Sequence, residues 1–581
     1  MKKKWVFKKS TEQETIIRLI EQIGISKPLA NLLGQREINN FEEAKAFFRP
    51  SLDELLDPFL MLNIKKAVDR IEEAVLNGEN ILVYGDYDVD GTTSVAMMYE
   101  YLTRDYEQVG YYIPDRYKEG YGVSRAGVEF AIDNSFSLII ALDCGTKALV
   151  EVDYAKQNGV DFIICDHHLP GEKIPNAILL NPKQKNGTYP FKELSGCGVG
   201  FKLVQALNTS RGFPLEEVLN LLDLLVVSIG ADIVSMSGEN RILAYFGLQL
   251  LNKEPRIGFK KMLELSNTKG ELSIMDVVFS IAPRINAAGR IDSGNKAVEL
   301  LLATTEEEVN EVGQLINGHN ETRKGLDRVI TKEALDSIES DDWLLNAKST
   351  VVFDSNWHKG VVGIVASRLI EKHYKPTIVL TESNGEAVGS ARSIKGFNIH
   401  DAIEKCSDLL TQFGGHYFAA GLTLPIENVP AFKLKFNAVA SELISDEMLI
   451  PEIEIDTEID FRDIFENQIG GIPKFYRILK QLAPFGPDNV APVFVSRQVK
   501  DTSYSRLLKE EHVKLSIRQP EYPNIIIDAI AFGFGHLFDR IQKEPFDVVY
   551  TIAENFWQGK TTLQLMIKDI RFNSDEWTKV D

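Results

Sequence analysis

Between residues 81 and 182 the chain repeats one pattern that leaves few folds open: a short unbroken apolar run, a helical stretch, then another run. The runs are ILVYG (81–85), GYYIP (110–114), SLIIALD (137–143), DFIICD (161–166) and AILLNP (177–182). A strand that is apolar on both sides must be covered on both faces, so such strands alternating with helices predict a parallel sheet between helical layers. Ligands in these sheets bind beyond the carboxyl ends of the strands, near the point where the strand order reverses. In this chain those ends carry acids. The first run leads into GDYDVDG, with Asp86, Asp88 and Asp90. The LIIALD run ends in Asp143 and FIIC is followed by Asp166, His167 and His168, while an apolar helical run from about 215 to 229 leads to Asp232.

Residues two apart on an extended segment point to the same side, so Asp86, Asp88 and Asp90 are expected to face one cleft, with Gly91 turning the backbone away. Clustered carboxylates repel one another, and a divalent cation removes the repulsion while using the same oxygens as ligands. Oxygen and imidazole donors suit Mn²⁺ or Mg²⁺ better than a thiolate-dependent metal. Any one of these residues alone is an ordinary helix cap or turn residue. Their recurrence at three strand ends and one helix end argues for a metal site.

At 581 residues the chain is too long for a single core. Its net charge of −20 would argue against a polyanionic partner, but part of that acidity lies in the metal site, and whole-chain charge says little about one groove. The basic opening MKKKWVFKKS runs into polar sequence without the apolar core of roughly 7–15 residues that a secretory signal has. No apolar run reaches the ~18 residues of a membrane span. Cys144, Cys165, Cys197 and Cys406 show no C-x-x-C spacing, so reduced thiols, no structural zinc and a cytoplasmic protein are expected.

Residues 1–60 carry helical patterns, with Asn39 or Asn40 placed to cap FEEAKAFF. Residues 64–75 have a helical apolar period that stops at Gly78. Residues 256–345 are helical and charged, and a long helix after Thr305 is weakened by Gly313, Gly318 and Gly325, each by about 1 kcal/mol relative to Ala; no chemistry is assigned to it. A second α/β pattern occupies 346–447. From 448 the chain changes to short strands with charged turns, which fit a small closed barrel.

The ordered set GDYDVDG, ALDCG, DHH and GADIVSM resembles the DHH phosphoesterase family. RINAAGR (284–290), GSARSIKGFNI (389–399) and FGGHYFAAGLTL (413–424) extend the likeness, which covers roughly residues 60–570. It implies an α/β architecture: an N-terminal helical cap (1–60), a parallel-sheet DHH catalytic domain (61–255), a helical connector (256–345), a smaller α/β DHH-associated domain (346–447) and a C-terminal OB-type barrel (448–581). It implies two Mn²⁺ or Mg²⁺ ions, with Asp143 bridging, Asp88 aided by Asp86 on one ion, and Asp90, His167 and Asp232 on the other. Other members have a metal-binding His near the position of Tyr84, and a tyrosine is a poor ligand at neutral pH. Asp166 is expected to orient a histidine, and His168 to contact the scissile phosphate or protonate the leaving oxygen. Arg284, Arg290, Ser390, Arg392, Ser393, Gly414, Gly415 and His416 are candidates for holding substrate phosphates.

In the barrel region Phe494, Tyr504, Phe556 and Trp557 are candidates for base stacking, and Arg497, Lys500, Arg506, Lys514, Arg518 and Lys560 for a phosphate path. The function implied is a single-stranded-DNA-specific 5′ to 3′ exonuclease of DNA repair and recombination, a monomer supplied by a helicase and a single-strand-binding protein. Two alternatives stay open: a phosphodiesterase for short oligoribonucleotides or cyclic dinucleotides, and a non-catalytic DNA-binding replication factor. The barrel, which a dinucleotide enzyme does not need, favours a polymer substrate.

Overall fold

Five parallel strands form the sheet that the apolar runs predict, in the order Val109–Tyr112, Asn80–Gly85, Phe136–Leu142, Asp161–Cys165, Ile178–Leu180. Ile81–Tyr84 and Leu138–Leu142 are fully buried, as strands covered on both faces must be. The strand order reverses between Asn80–Gly85 and Phe136–Leu142, and Asp86 and Asp143 follow these two strands. The helices Gly196–Ser210 and Leu222–Ala231 then bring in further site residues. This computed structural model describes residues 2–574 except 292, 466–470 and 558–559; the side chains of Trp557 and Lys560, both candidates above, also lie outside the described residues.

The chain divides into two compact units. The first, Leu56–Val234 with Gly238–Pro451, holds the parallel sheet and a second sheet ordered Gln412–Gly415, Ala419–Pro425, Glu386–Arg392, Thr377–Ser383, Thr350–Phe353. Between them runs a continuous helix, Glu306–Glu339, opened by a capping box of Thr305 and Glu308. Gly318 and Gly325 do not interrupt it, because Val309, Gly313, Ile316, Ile330, Ala334 and Ile338 bury one stripe along its length.

The second unit joins Lys3–Leu55, Ser235–Ser237 and the residues from Glu452 onward. Lys4–Phe7 pairs in parallel with Glu452–Ile455. Strands Phe494–Asp501, Phe546–Trp557, Lys560–Phe572, Ile527–Ala531 and His512–Arg518 follow one another, and the last pairs back to the first, closing a ring. Leu19, Leu29, Leu32 and Leu33, in the segment read above as a cap, share one apolar core with Phe475, Phe494 and Phe546.

That core corrects one expectation: Phe494 packs against Phe475 and Tyr550 and presents no face for a base. Tyr504 and Phe556 are exposed, as are Lys500, Arg506 and Arg518. Arg497 instead pairs with Asp547 at 2.9 Å and Glu458 at 3.2 Å, and Lys514 lies 3.7 Å from Asp528. All four cysteines are buried free thiols. No described helix is long and apolar enough to cross a membrane.

Candidate metal centre

The aspartates of GDYDVDG are not strung along an extended segment. The helix Val89–Leu102 starts ahead of Gly91, the residue expected to turn the backbone away, and Asp88 is its N-cap, accepting a hydrogen bond from the Gly91 amide at 3.0 Å. Asp86 therefore follows the strand, Asp88 caps the helix and Asp90 lies in its first turn, so a helix start rather than strand alternation gathers them. Gly91 is needed for closeness: a Cβ there would lie 2.3 Å from the Asp86 carbonyl oxygen.

Asp143 has left-handed backbone geometry (φ 59°), uncommon for a residue with a side chain, which turns its carboxylate in against the start of helix Gly196–Ser210. A Cβ on Gly196 would come within 2.6 Å of Asp143 Oδ1. The start of that helix also serves Asp90, whose carboxylate accepts the amides of Gly196 (2.7 Å) and Cys197 (2.8 Å) and the hydroxyl of Ser228 (2.7 Å).

His167 is the hub of the cluster. Its Nε2 lies 3.3 Å from Asp143 Oδ1, 3.6 Å from Asp232 Oδ2 and 3.9 Å from Asp90 Oδ2. Burial lowers its pKa against the pull of Asp90, leaving the neutral imidazole that ligates metals. Three ligand atoms here, Asp86 Oδ2, Asp143 Oδ1 and His167 Nε2, are buried with no hydrogen-bond partner. Burial, and then mutual repulsion, pushes the carboxyls of Asp86, Asp88 and Asp143 up and Asp232 to about 9. Orphaned donors that repel one another in a dry site fit divalent cations, and the sets Asp90–His167–Asp232 and Asp143–His167–His168 each have the spacing to hold one.

Tyr84 is not a ligand: its hydroxyl donates to the Gly122 carbonyl at 3.0 Å and accepts from the Ser124 amide at 3.1 Å. Asp166 stands behind the histidines. Its Oδ1 meets His168 Nδ1 at 2.7 Å and accepts the His167 amide at 2.7 Å, and its Oδ2 accepts the Thr146 amide at 2.9 Å. Burial alone would raise this carboxyl, but the bonds from His168 and Thr146 outweigh it and hold it well below the usual range. In return Asp166 overcomes the burial of His168 and raises its pKa. His168 Nε2 meets the Tyr121 hydroxyl at 3.0 Å. Tyr121 escaped the sequence reading because it sits in a loop with no motif around it; Gly120 and Gly122, both at positive φ, are the only local signal.

A cavity of about 300 Å³ is lined by Asp88, Asp90 and Asp232 together with Arg116, Tyr121 and Arg290. Arg290 donates to the Gly360 carbonyl at 2.7 Å, and burial with the neighbouring guanidiniums of Arg116 and Arg323 pushes its pKa down to about 10. Arg392 donates to Ser390 Oγ at 2.7 Å, and a Cβ on Gly363 would touch both side chains. Other candidates are engaged elsewhere. Arg284 spends Nε on Asn317 and Nη1 on the Ser280 carbonyl, and Ser393 donates to the Phe397 carbonyl at 2.5 Å. Gly415 (φ 150°) crosses close to Ala419 and Ala420 with no room for a Cβ, whereas Gly414 has open space. His416 is exposed; partial burial of its ring and then the charge of His168 lower its pKa.

Residues 80–229 match the DHH family, N-terminal domain, residues 346–442 the DHHA1 domain and residues 455–569 the RecJ OB domain. The single-stranded-DNA-specific exonuclease RecJ of Bacillus subtilis (strain 168) is 38% identical over 577 residues, covering 98% of this chain and 71% of the relative. That of Escherichia coli (strain K12) is 30% identical over 531 residues, covering 87% and 90%. The crystal structure of RecJ from Thermus thermophilus in complex with Mn²⁺ superposes with a TM-score of 0.82 at 26% identity, covering 98% of this chain and 79% of that one. A second exonuclease RecJ structure, bound to manganese, has a TM-score of 0.59 at 32% identity and covers 68% and 97%. With the carboxylate and histidine cluster beyond the strand ends and all three domains matched in order, the chain belongs to the RecJ family of DHH phosphoesterases.

Proposed function

We infer that this protein is a single-stranded-DNA-specific exonuclease that hydrolyses phosphodiester bonds from the 5′ end with two divalent cations, Mn²⁺ or Mg²⁺, in DNA repair and recombination. The observation that carries this reading is the trio of orphaned buried ligand atoms on Asp86, Asp143 and His167, clustered with Asp90 and Asp232, which line a cavity together with Arg116 and Arg290. Asp86, Asp88, Asp90, Asp143, His167 and Asp232 would hold the ions. When bound, the cations acidify the attacking water and neutralise charge on the reacting phosphate.

The remaining steps fall to the protein. His168, whose pKa Asp166 raises against the effect of burial, delivers a proton from Nε2 to the leaving oxygen, and the Tyr121 hydroxyl holds that nitrogen in place until substrate arrives. Arg290, Arg392 and Ser390, with Gly414, Gly415 and His416 at the rim, hold phosphates and fix the register of the strand without reading bases. Arg284 braces the helix that carries Arg290, and Ser393 shapes the turn after Arg392. The enzyme works as a cytoplasmic monomer, taking strands opened by a helicase and covered by a single-strand-binding protein. The test is turnover of end-labelled single-stranded DNA with Mn²⁺. Stepwise loss from the 5′ end, abolished by EDTA and absent on blunt duplex, is the expected result; no cleavage with either cation would overturn the reading.

A further inference from the structure

The long helix Glu306–Glu339 has a break in chemistry that its packing does not explain. Its buried stripe is apolar at both ends but polar in the middle, at Asn320 and Asp327. Asn320 is 1% exposed, and neither of its amide atoms has a partner. Arg323 lies between these two residues, with its Nε buried and also without a partner.

Two other largely buried arginines pair with carboxylates. Arg256 does so with Asp223 at 2.7 Å and Glu100 at 3.0 Å, and Arg70 with Glu79 at 2.7 Å and Asp161 at 2.9 Å. Arg323 does not. The two acids that act on it, Asp327 and Glu321, are taken by Arg368 at 2.8 Å and Lys324 at 2.9 Å. Its other charged neighbours are cations, for it lies close enough to Arg284 and Arg290 to depress both, and close enough to Arg368 to be depressed in turn.

The surrounding contacts fix where this cluster lies. On one side of Arg323 the long helix is tied to helix Ala282–Ile291 by Arg284 and Asn317 (3.1 Å), and on the other to helix Val362–Lys372 by Asp327 and Arg368. Arg290, at the end of the first of these helices, reaches the Gly360 carbonyl just ahead of the second. Arg116 and Arg290 line the metal-centre cavity, and Arg323 and Arg392 lie close enough to Arg290 for their charges to act on it. Cations gathered around acids that are already paired with other bases are costly unless a further anion joins them.

We propose that Arg323 is a phosphate contact for the single strand, forming a second anion subsite next to that of Arg290 and Arg392. The assignment rests on the exonuclease reading above and names a residue on an element that serves otherwise as a strut. Its ligand is a backbone phosphate flanking the one held by Arg290 and Arg392.

The experiment uses the full chain without divalent metal, so that strands bind and are not cut. Short 5′-phosphorylated oligodeoxynucleotides carrying one neutral methylphosphonate at successive linkages are titrated against wild type, Arg323→Gln and Arg323→Lys by fluorescence anisotropy. Arg323→Gln should bind the unmodified strand roughly tenfold more weakly, the loss expected for one charge-assisted contact. At one linkage the methylphosphonate should weaken wild type and leave Arg323→Gln unaffected, because the partner is already gone. Arg323→Lys, which keeps the charge but loses the fork, should recover part of the affinity. The salt slope of Arg323→Gln should fall by about 0.7. Binding of Arg323→Gln within about twofold of wild type, or an unchanged methylphosphonate profile in both variants, would overturn the assignment. Wild type that neither binds nor cuts single strands would instead overturn the exonuclease reading.

Discussion

Asp143 and Asp456 are equally buried, each 2% exposed, yet they differ in everything that decides what a buried acid is for. Asp456, in the unit that holds the barrel, has one oxygen on Lys8 Nζ at 2.8 Å and the other on the Val493 amide at 2.8 Å. Asp143 has an orphaned Oδ1 and neighbours of its own sign. A buried carboxylate with its bonds made holds a fold together, whereas one left unmade among like charges makes the fold less stable until a cation arrives. Burial alone does not tell the two apart; the count of satisfied atoms does.

Four measurements would break or sharpen that contrast. Asp143→Asn keeps the shape and removes the charge, so cleavage should fall by about a thousandfold or more while the metal-free melting temperature holds or rises; activity within about tenfold of wild type would end the two-metal reading. Asp456→Asn should do the reverse, costing about 3 kcal/mol in urea unfolding with turnover per folded molecule unchanged. A loss of turnover at constant stability would erase the distinction.

The third is pH dependence. Folded Asp232 retains its proton to about pH 9, whereas the unfolded chain releases it near the ordinary value of about 3.9. Between those limits the folded state binds more protons, so stability of the metal-free protein should fall as pH rises. Melting curves with EDTA and with Mn²⁺ should therefore lie further apart at high pH than at low pH, and parallel curves would contradict the site. The smallest effect belongs to the barrel surface: Tyr504→Ala should weaken single-strand binding by about 1 kcal/mol without moving the melting temperature, and unchanged binding would remove Tyr504 from the strand's path.

The catalytic sheet was legible in sequence because each strand is buried on both faces and so reads as an unbroken apolar run. The acids at its ends were legible for the same reason, as they stop those runs. How the first three acids come together was not. An N-cap aspartate and a strand-end aspartate look alike in GDYDVDG, and only the hydrogen bond from Gly91 to Asp88 separates them. Phe494 was misread because a half-buried strand alternates, and nothing local says which side faces in until its partners Phe475 and Tyr550 are known. Arg323 looked like one more charge on a solvated helix, since the arginines around it come from distant segments.

The pairing of Lys4–Phe7 with Glu452–Ile455 has a consequence for how the chain is made. At about 5–20 residues per second, a ribosome needs roughly 20–80 s to reach Glu452 after residue 55 has emerged. During that interval Leu19, Leu29, Leu32 and Leu33 have no core to enter, and the edge of Lys4–Phe7 has no partner strand. The intervening residues, Leu56 to Pro451 apart from Ser235–Ser237, form a unit of their own that can mature first. The segment made early is thus among the last parts to fold, and what guards it meanwhile is its own sequence: the lysines at positions 2, 3, 4, 8 and 9 place like charges along the waiting strand, which discourages edge-to-edge association between nascent copies.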